Sequence, residues 1–427
     1  MPETSTSSQP PTETRRLWRL GLIGALIGGL IVWLLQTIAG WAVAKASDYV
    51  WENRPSSRGQ VILAVFPRTG VSQPMKAALR LEEPIEGIPL ELLPEASSVE
   101  ETIDQLLNRL DDPTKPEVIL AIGHERSTVV LELLPRVYQR TGRGQPIPVI
   151  LPAVTNPAIT ETQAKGQRHI LRLPPTDDKQ VFTLACLLRH LQVQDVTLLV
   201  DNGNLAYSSF IAKELVYKST EPPPISIVDS VGVDLVTTGF SPTRLLDAKP
   251  STVVFIGMET EASLFLRRLR RSDPPPRFGP SLNPDLGAIT AIFTDGVAGT
   301  SFENVTRSLL QPGEELYLTG PFPPSTLASQ TSLPTYAPYA AAARAIASHL
   351  VLQAKKNGAS PPRRSDILAE VQQLQGATPY MRFASLEMQF DAKGDNTLAE
   401  FHAYRITHDQ VEQVKLTCGT NASSNRQ

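Results

Sequence analysis

Residues Glu117–Asp178 read EVILAIGHERSTVVLELLPRVYQRTGRGQPIPVILPAVTNPAITETQAKGQRHILRLPPTDD. Val118–Ile122 is a short run rich in β-branched residues, stopped by Gly123, which predicts a buried strand. Ser127 and Thr128 stand just before an apolar-periodic segment (Val129, Val130, Leu133, Leu134, Val137) with N-cap chemistry, so a helix is expected to start there. A second buried run, Ile147–Leu151, ends in the turn Pro152-Ala153-Val154-Thr155-Asn156-Pro157. Two strand ends and two turns with hydroxyls and free N–H groups thus point to one place. In a parallel α/β sheet that is where small ligands bind.

Working outward, the strand-and-helix alternation extends over most of the 427 residues. Upstream, Gln60–Phe66 and Ile88–Leu93 read as strands, and Val99–Leu110 as an amphipathic helix with Ile103, Leu106, Leu107 and Leu110 on one face. His169–Leu173 is a further short strand. A second series follows: helix Val181–Leu191, strand Val196–Asp201, helix Ser209–Tyr217, strands Ile225–Val231 and Thr252–Gly257, helix Glu259–Arg271 and strand Ala288–Phe293. Helices are then expected over Tyr339–Lys356 and Asp366–Leu374, before strand and turn in Glu387–Arg405. Such alternation implies parallel sheets covered by helices on both sides, and two series imply two doubly wound lobes.

The N-terminus has a different character. Residues 1–19 carry a Ser, Thr, Pro, Gln and Glu-rich stretch without apolar period and are expected to be a disordered cytoplasmic tail. Leu20–Ala44 runs without a charge, long enough as a helix to cross a bilayer core of about 30 Å. Arg15, Arg16 and Arg19 precede it and Lys45 follows, which favours a cytoplasmic N-terminus and a single-pass cell-membrane anchor holding the large domain outside. Ala42-Val43-Ala44 would serve as a cleavage site if the segment were instead removed. Gly24 and Gly28 form a GxxxG step compatible with a homodimer. Residues 45–58 read as a polar linker.

A net charge of -3 gives no basic footprint for nucleic acid, and no nucleic-acid partner is expected. The only cysteines, Cys186 and Cys418, read as two buried free thiols, with one disulfide as the alternative. The chain has no GxSxG elbow, phosphate loop or HExxH helix, and its six histidines are dispersed, so no enzyme, metal or cofactor is expected. Asp177-Asp178 reads as capping the helix after it rather than as a catalytic pair.

Seven fragments in order resemble the type I periplasmic binding proteins, specifically the Leu/Ile/Val-binding-like substrate-binding proteins of ABC transporters. Glu117–Gly123 with Ser127-Thr128 is similar to the family's strand and hydroxyl-bearing turn. ILPAVTNPAIT (150–160) is similar to its "SPSATNPALT" turn and LPPTDDKQ (173–180) to its first crossover. VTLLVDNGNLAY (196–207), FSPTRLLDAKPSTVVFIG (240–257), Thr294-Asp295-Gly296 and FDAKGD (390–395) complete the series. The resemblance implies two α/β lobes joined by a three-strand hinge and closing over a small-molecule ligand. It places the crossings near Pro174–Asp178, Phe293–Gly296 and Asp395–Leu398. Lobe 1 is then expected over 59–175 plus 296–394, lobe 2 over 176–294 plus 396–417, with a flexible tail at 418–427.

The same resemblance implies ligand contacts at Ser127, Thr128, Ala153, Thr155, Tyr207 and Asp295, and ABC permease subunits as partners. The chain also departs from the family. Pro67–Ile88 leaves only a stub of the usual helix between the first two strands, and Thr237-Thr238-Gly239 offers no acid where amino acid binders hold the ligand's ammonium. His124-Glu125-Arg126 is bulky and charged where small residues are usual. His124 and Arg126 are therefore candidate anion contacts, with a solvated charged turn as the alternative. A degenerate cleft serving a sensory or interaction module is the second reading.

Overall fold

The computed structural model describes residues 59–67, 72–96, 98–139, 145–161, 168–233, 245, 250–280, 288–298, 300–322, 335–376 and 380–418. The expected disordered tail, membrane span, linker, and the Thr237-Thr238-Gly239 segment lie outside them. Among the described residues no helix is long and apolar enough to cross a membrane.

Two sheets organise the chain. The first has five parallel strands in the order β2-β1-β3-β4-β5: β1 (Gln60–Pro67), β2 (Leu90–Glu95), β3 (Glu117–Gly123), β4 (Val149–Leu151) and β5 (Ile170–Arg172). Val118–Gly123 is buried throughout, which explains a run of apolar residues rather than an alternating one. Helices α1 (Ser72–Leu79), α2 (Val99–Asp111) and α3 (Ser127–Leu133) lie in its connections. Ile103 and Leu106 of α2 join Val130 and Leu133 of α3 in one core cluster with Val61, Leu63 and Val118 of the strands.

The second sheet has eight strands. Seven run in the order β15-β14-β11-β10-β8-β6-β7, and β9 (Arg277–Phe278) pairs with β10 (Ala288–Phe293). The parallel members include β6 (Asp195–Asp201), β7 (Ser226–Val233) and β8 (Thr252–Ile256), while β14 (His402–Thr407) and β15 (Val411–Val414) close it antiparallel. Helices α4 (Asp177–His190) and α5 (Leu205–Ser219) pack Leu184, Leu188, Ile211 and Leu215 against Leu198 and Ile256.

Three expectations are corrected. First, the chain does not leave the second sheet near Phe293–Gly296. Helix α6 (Glu259–Arg270) is followed, after β10, by α7 (Thr300–Leu309) and then β11 (Glu315–Gly320), which pairs with both β10 and β14. The return to the first lobe falls after Gly320, so residues 300–320 belong to lobe 2. Helix α8 (Ala337–Lys356) then docks on lobe 1, where Arg344 donates to the carbonyls of Leu79 and Glu83 at 2.7 and 3.1 Å. Second, Cys186 and Cys418 form a disulfide, with Cα atoms 5.8 Å apart, rather than two free thiols. Third, Cys418 is thereby tied to α4 and is no part of a free tail. The remaining elements are α9 (Arg364–Leu374) and the short hairpin of β12 (Met381–Phe383) with β13 (Leu386–Met388).

The third crossing is built by FDAKGD. Asp391 Oδ1 accepts the N–H groups of Lys393 and Asp395 at 2.8 and 2.9 Å, which folds the turn. Gly394 has φ +85°, and a Cβ there would lie 1.9 Å from the Ile170 carbonyl oxygen, so only glycine fits. The turn sets Asp395 beside the wholly buried Arg172 of β5. Arg172 donates to Asp395 Oδ1 at 2.8 Å, to Thr160 Oγ1 at 2.7 Å and to the Thr155 carbonyl at 3.3 Å. This buried guanidinium ties the turn after β4 to a hinge strand.

Candidate functional site

The carboxyl ends of the two sheets enclose a small cavity of about 30 Å³. From lobe 1 it is lined by Glu125 and Ser127, between β3 and α3, and by Ala153 and Thr155 after β4. From lobe 2 come Asn204 and Tyr207 at the start of α5, Met258 after β8, and Asp295 and Gly296 after β10. Tyr336, just before α8, completes the wall. A water-sized sphere needs roughly 10–15 Å³, so the closed space holds two or three waters and a larger solute requires the lobes to part.

Five of the residues expected in the cleft meet there: Ser127, Ala153, Thr155, Tyr207 and Asp295. Tyr207 is buried in the interior rather than at a rim. Its hydroxyl donates to Asp295 Oδ1 at 2.5 Å, and the Tyr336 hydroxyl donates to Asp295 Oδ2. Gly296 N–H donates to the Tyr207 oxygen at 3.4 Å. A Cβ on Gly296 would stand 2.4 Å from the Gly257 carbonyl oxygen, so the acidic turn requires glycine after the aspartate. Burial pushes the Asp295 carboxyl above its usual range, while the two tyrosine hydroxyls oppose that rise. Burial also raises both tyrosines, Asp295 adds to it, and they stay protonated donors.

Thr128 does not face the cavity. Its hydroxyl donates to Asn204 Oδ1 at 2.9 Å, accepts Ala206 N–H at 3.1 Å, and its own N–H donates to Asn204 Oδ1 at 3.3 Å. Asn156 Nδ2 reaches the Ala206 carbonyl at 2.5 Å. Groups expected to hold a ligand thus hold the other lobe. Neither Ser127 nor Thr128 caps α3; Arg126 occupies the cap position and makes no side-chain cap bond.

His124 and Arg126 are redirected from the expected anion contacts. His124 is wholly buried, with Nδ1 3.1 Å from Glu95 Oε1 and Nε2 2.8 Å from the Tyr138 hydroxyl. Arg126 donates to Glu95 Oε2 at 2.8 Å. Burial alone would raise Glu95, but His124 and Arg126 bring it below its usual range. Of His124, Glu125 and Arg126, the one that lines the cavity is Glu125, whose Oε1 is enclosed without a hydrogen-bond partner.

Asp177, expected to cap the helix after it, instead follows the cap residue Thr176 as the first residue of α4. It is wholly buried there; the Thr155 side chain is the hydrogen-bond partner of its carboxyl, and no basic group pairs with it among the described residues. Its N–H donates to the Thr155 carbonyl at 2.9 Å. Burial raises its carboxyl well above the usual range, and nearby Asp295 adds to the rise. Asn204, Met258 and Tyr336 were beyond the sequence, because each comes from a turn without an apolar or charged pattern of its own. Among the described residues no cluster of His, Cys, Asp or Glu suits a metal ion.

No protein-family model matches the chain, and no curated protein does. Solved structures do. A leucine-binding protein of Thermotoga maritima superposes with a TM-score of 0.62 at 16% identity, over 84% of this chain and 98% of that one. The branched-chain amino acid transporter substrate-binding protein LivJ of Streptococcus pneumoniae, in complex with isoleucine, gives 0.59 at 18% identity, over 84% and 99%. A solute-binding protein of an ABC transporter from R. palustris, in complex with benzoate, gives 0.62 at 11% identity, over 84% and 96%. The described chain has the two-lobed fold of the type I periplasmic binding proteins.

Proposed function

We propose that the chain is a solute-binding protein that captures a small polar solute between its lobes. The observation that carries this reading is the cavity itself, where five residues from four separate turns converge at the carboxyl ends of both sheets. Two lobes linked by three crossings provide the hinge by which such a cleft opens and closes. Residues 20–44 would tether the chain as a single-pass segment, with the domain outside. The Cys186–Cys418 disulfide fits an oxidising compartment. An ABC permease is the partner that the fold's relatives suggest, and the reading is of a binding protein rather than an enzyme.

The test is a thermal-shift screen of the full chain in detergent against amino acids, amides, amines and carboxylates. One solute class should raise the melting temperature by several degrees, and a flat response across all classes would sink the reading. Fractionation of cells expressing the chain with and without residues 1–45 tests the tether. The second reading, a sensory or interaction module, is favoured by the Thr128–Asn204 contact, which joins the lobes without a solute. Recovery of an envelope or signalling partner, but no permease, after mild crosslinking would favour it.

A further inference from the structure

We propose that the cleft selects a compact organic cation, a small primary or methylated ammonium, held by Glu125. This rests on the solute-binding reading and narrows it.

The charges that line the cavity among the described residues are both acidic, Glu125 from lobe 1 and Asp295 from lobe 2. The two acids differ in what they have left to offer. Both oxygens of Asp295 already accept tyrosine hydroxyls, whereas Glu125 Oε1 has no partner. An enclosed carboxylate oxygen without a donor is costly, and a ligand N–H would satisfy it. The remaining walls suit the same occupant. Tyr207 and Tyr336 contribute aromatic side chains to the wall, a surface that favours an ammonium when water is excluded.

The same geometry disfavours a carboxylate. Of the two residues that would receive one, Thr128 has its N–H and hydroxyl taken by Asn204 and Ala206, which leaves Ser127 alone of that pair on the cavity wall. Arg126 and His124 are turned onto Glu95. No basic side chain remains on the cavity wall among the described residues. The chain therefore parts from its structural neighbours solved with leucine, isoleucine or benzoate, each of which carries a carboxylate.

Binding should also move a proton. Burial raises the Glu125 carboxyl well above its usual range; Glu95 of β2 adds to this, Lys76 of α1 and the neighbouring Arg126 oppose it, and Glu259 of α6 adds further. A bound ammonium favours the ionised form, so binding releases a proton and affinity rises with pH until the unliganded carboxyl is itself ionised.

The experiment is titration calorimetry on the full chain in detergent, with methylammonium and ethanolammonium against acetate, benzoate and leucine, at ionic strength held constant with potassium chloride. The ammonium salts should bind, with a heat that varies with buffer ionisation enthalpy by the amount proton release requires. Glu125→Gln should weaken them at least tenfold and abolish the buffer dependence, while its circular dichroism and unliganded melting remain those of a folded chain. Three results would overturn the proposal: leucine or benzoate binding where the ammoniums do not, Glu125→Gln binding them unchanged, or potassium alone giving the same response. If no solute of any class binds, the solute-binding reading falls as well.

Discussion

Two buried acidic sites lie within one molecule, and they are handled in opposite ways. At the third crossing, Asp395 meets the buried Arg172, whose other N–H groups reach Thr160 and backbone carbonyls. Around the cleft, Glu125 Oε1 is enclosed with no donor, the buried Asp177 has the Thr155 side chain, and Asp295 has tyrosine hydroxyls and Gln180, and none of the three has an ion-pair partner among the described residues. A paired and fully hydrogen-bonded ion is structural, because removing one partner strands the other. An uncompensated acid lowers stability, and groups of this kind cluster at functional sites. The contrast separates the part of the molecule that holds the lobes in register from the part that, on the proposed reading, takes a solute.

The largest effect is expected where the compensation is complete. Asp395→Ala would leave Arg172 buried without its carboxylate and should cost about 3–5 kcal/mol in urea unfolding. A loss below 1 kcal/mol would mean that the carbonyls around Arg172 suffice. Gly394→Ala acts on the same turn through its backbone, since φ is positive and the added Cβ meets the Ile170 carbonyl. Its cost should be about 2 kcal/mol or more, from strain of roughly 1–3 kcal/mol per residue plus the clash.

The cleft should respond with the other sign. Asp177→Asn removes a buried charge and should stabilise the unliganded chain by about 1–3 kcal/mol at pH 7.5. The folded carboxyl is raised above its unfolded value, so folding takes up a proton and stability falls as pH climbs from the unfolded value toward the folded one. Asn should flatten that fall, which melting curves between pH 5 and about 8 would read. Glu95 contributes the reverse slope: its carboxyl is lowered, so its stabilisation is present above the unfolded value and is lost on acidification. The smallest effect is expected at the lobe contact. Asn204→Ala deletes the acceptor of Thr128 and should favour the open form by about 0.5–1.5 kcal/mol, visible as a larger radius of gyration in X-ray scattering. An unchanged radius would show that Asn156 and the tyrosine contacts alone keep the lobes together.

Much of this was legible in the residues. The buried runs Val118–Ile122, Val196–Asp201, Thr252–Gly257 and Ala288–Phe293 all emerged as parallel strands, because continuous β-branched stretches between helical patterns have few other ways to bury both faces. Ser127, Ala153, Thr155, Tyr207 and Asp295 sit after strand ends, and topology gathers strand ends into one cleft. By contrast, α7 and β11 passed unread, and with them the true second crossing, since Glu315–Gly320 is a short strand whose neighbours lie far away in sequence. The disulfide stood in the sequence only as the alternative to two free thiols, because whether residues 232 positions apart meet is decided by the fold.

The sequence by itself determined the alternating α/β architecture, the two lobes and the strand-end turns that form the cleft. These depend on local periodicity and on turn residues, which are written in consecutive positions. Only the tertiary structure decided which polar groups in that cleft are free. Thr128 finds Asn204, Arg126 and His124 find Glu95, and Glu125 is left facing the cavity. A side chain's availability depends on which distant partner satisfies it first, and that competition is settled by packing in three dimensions.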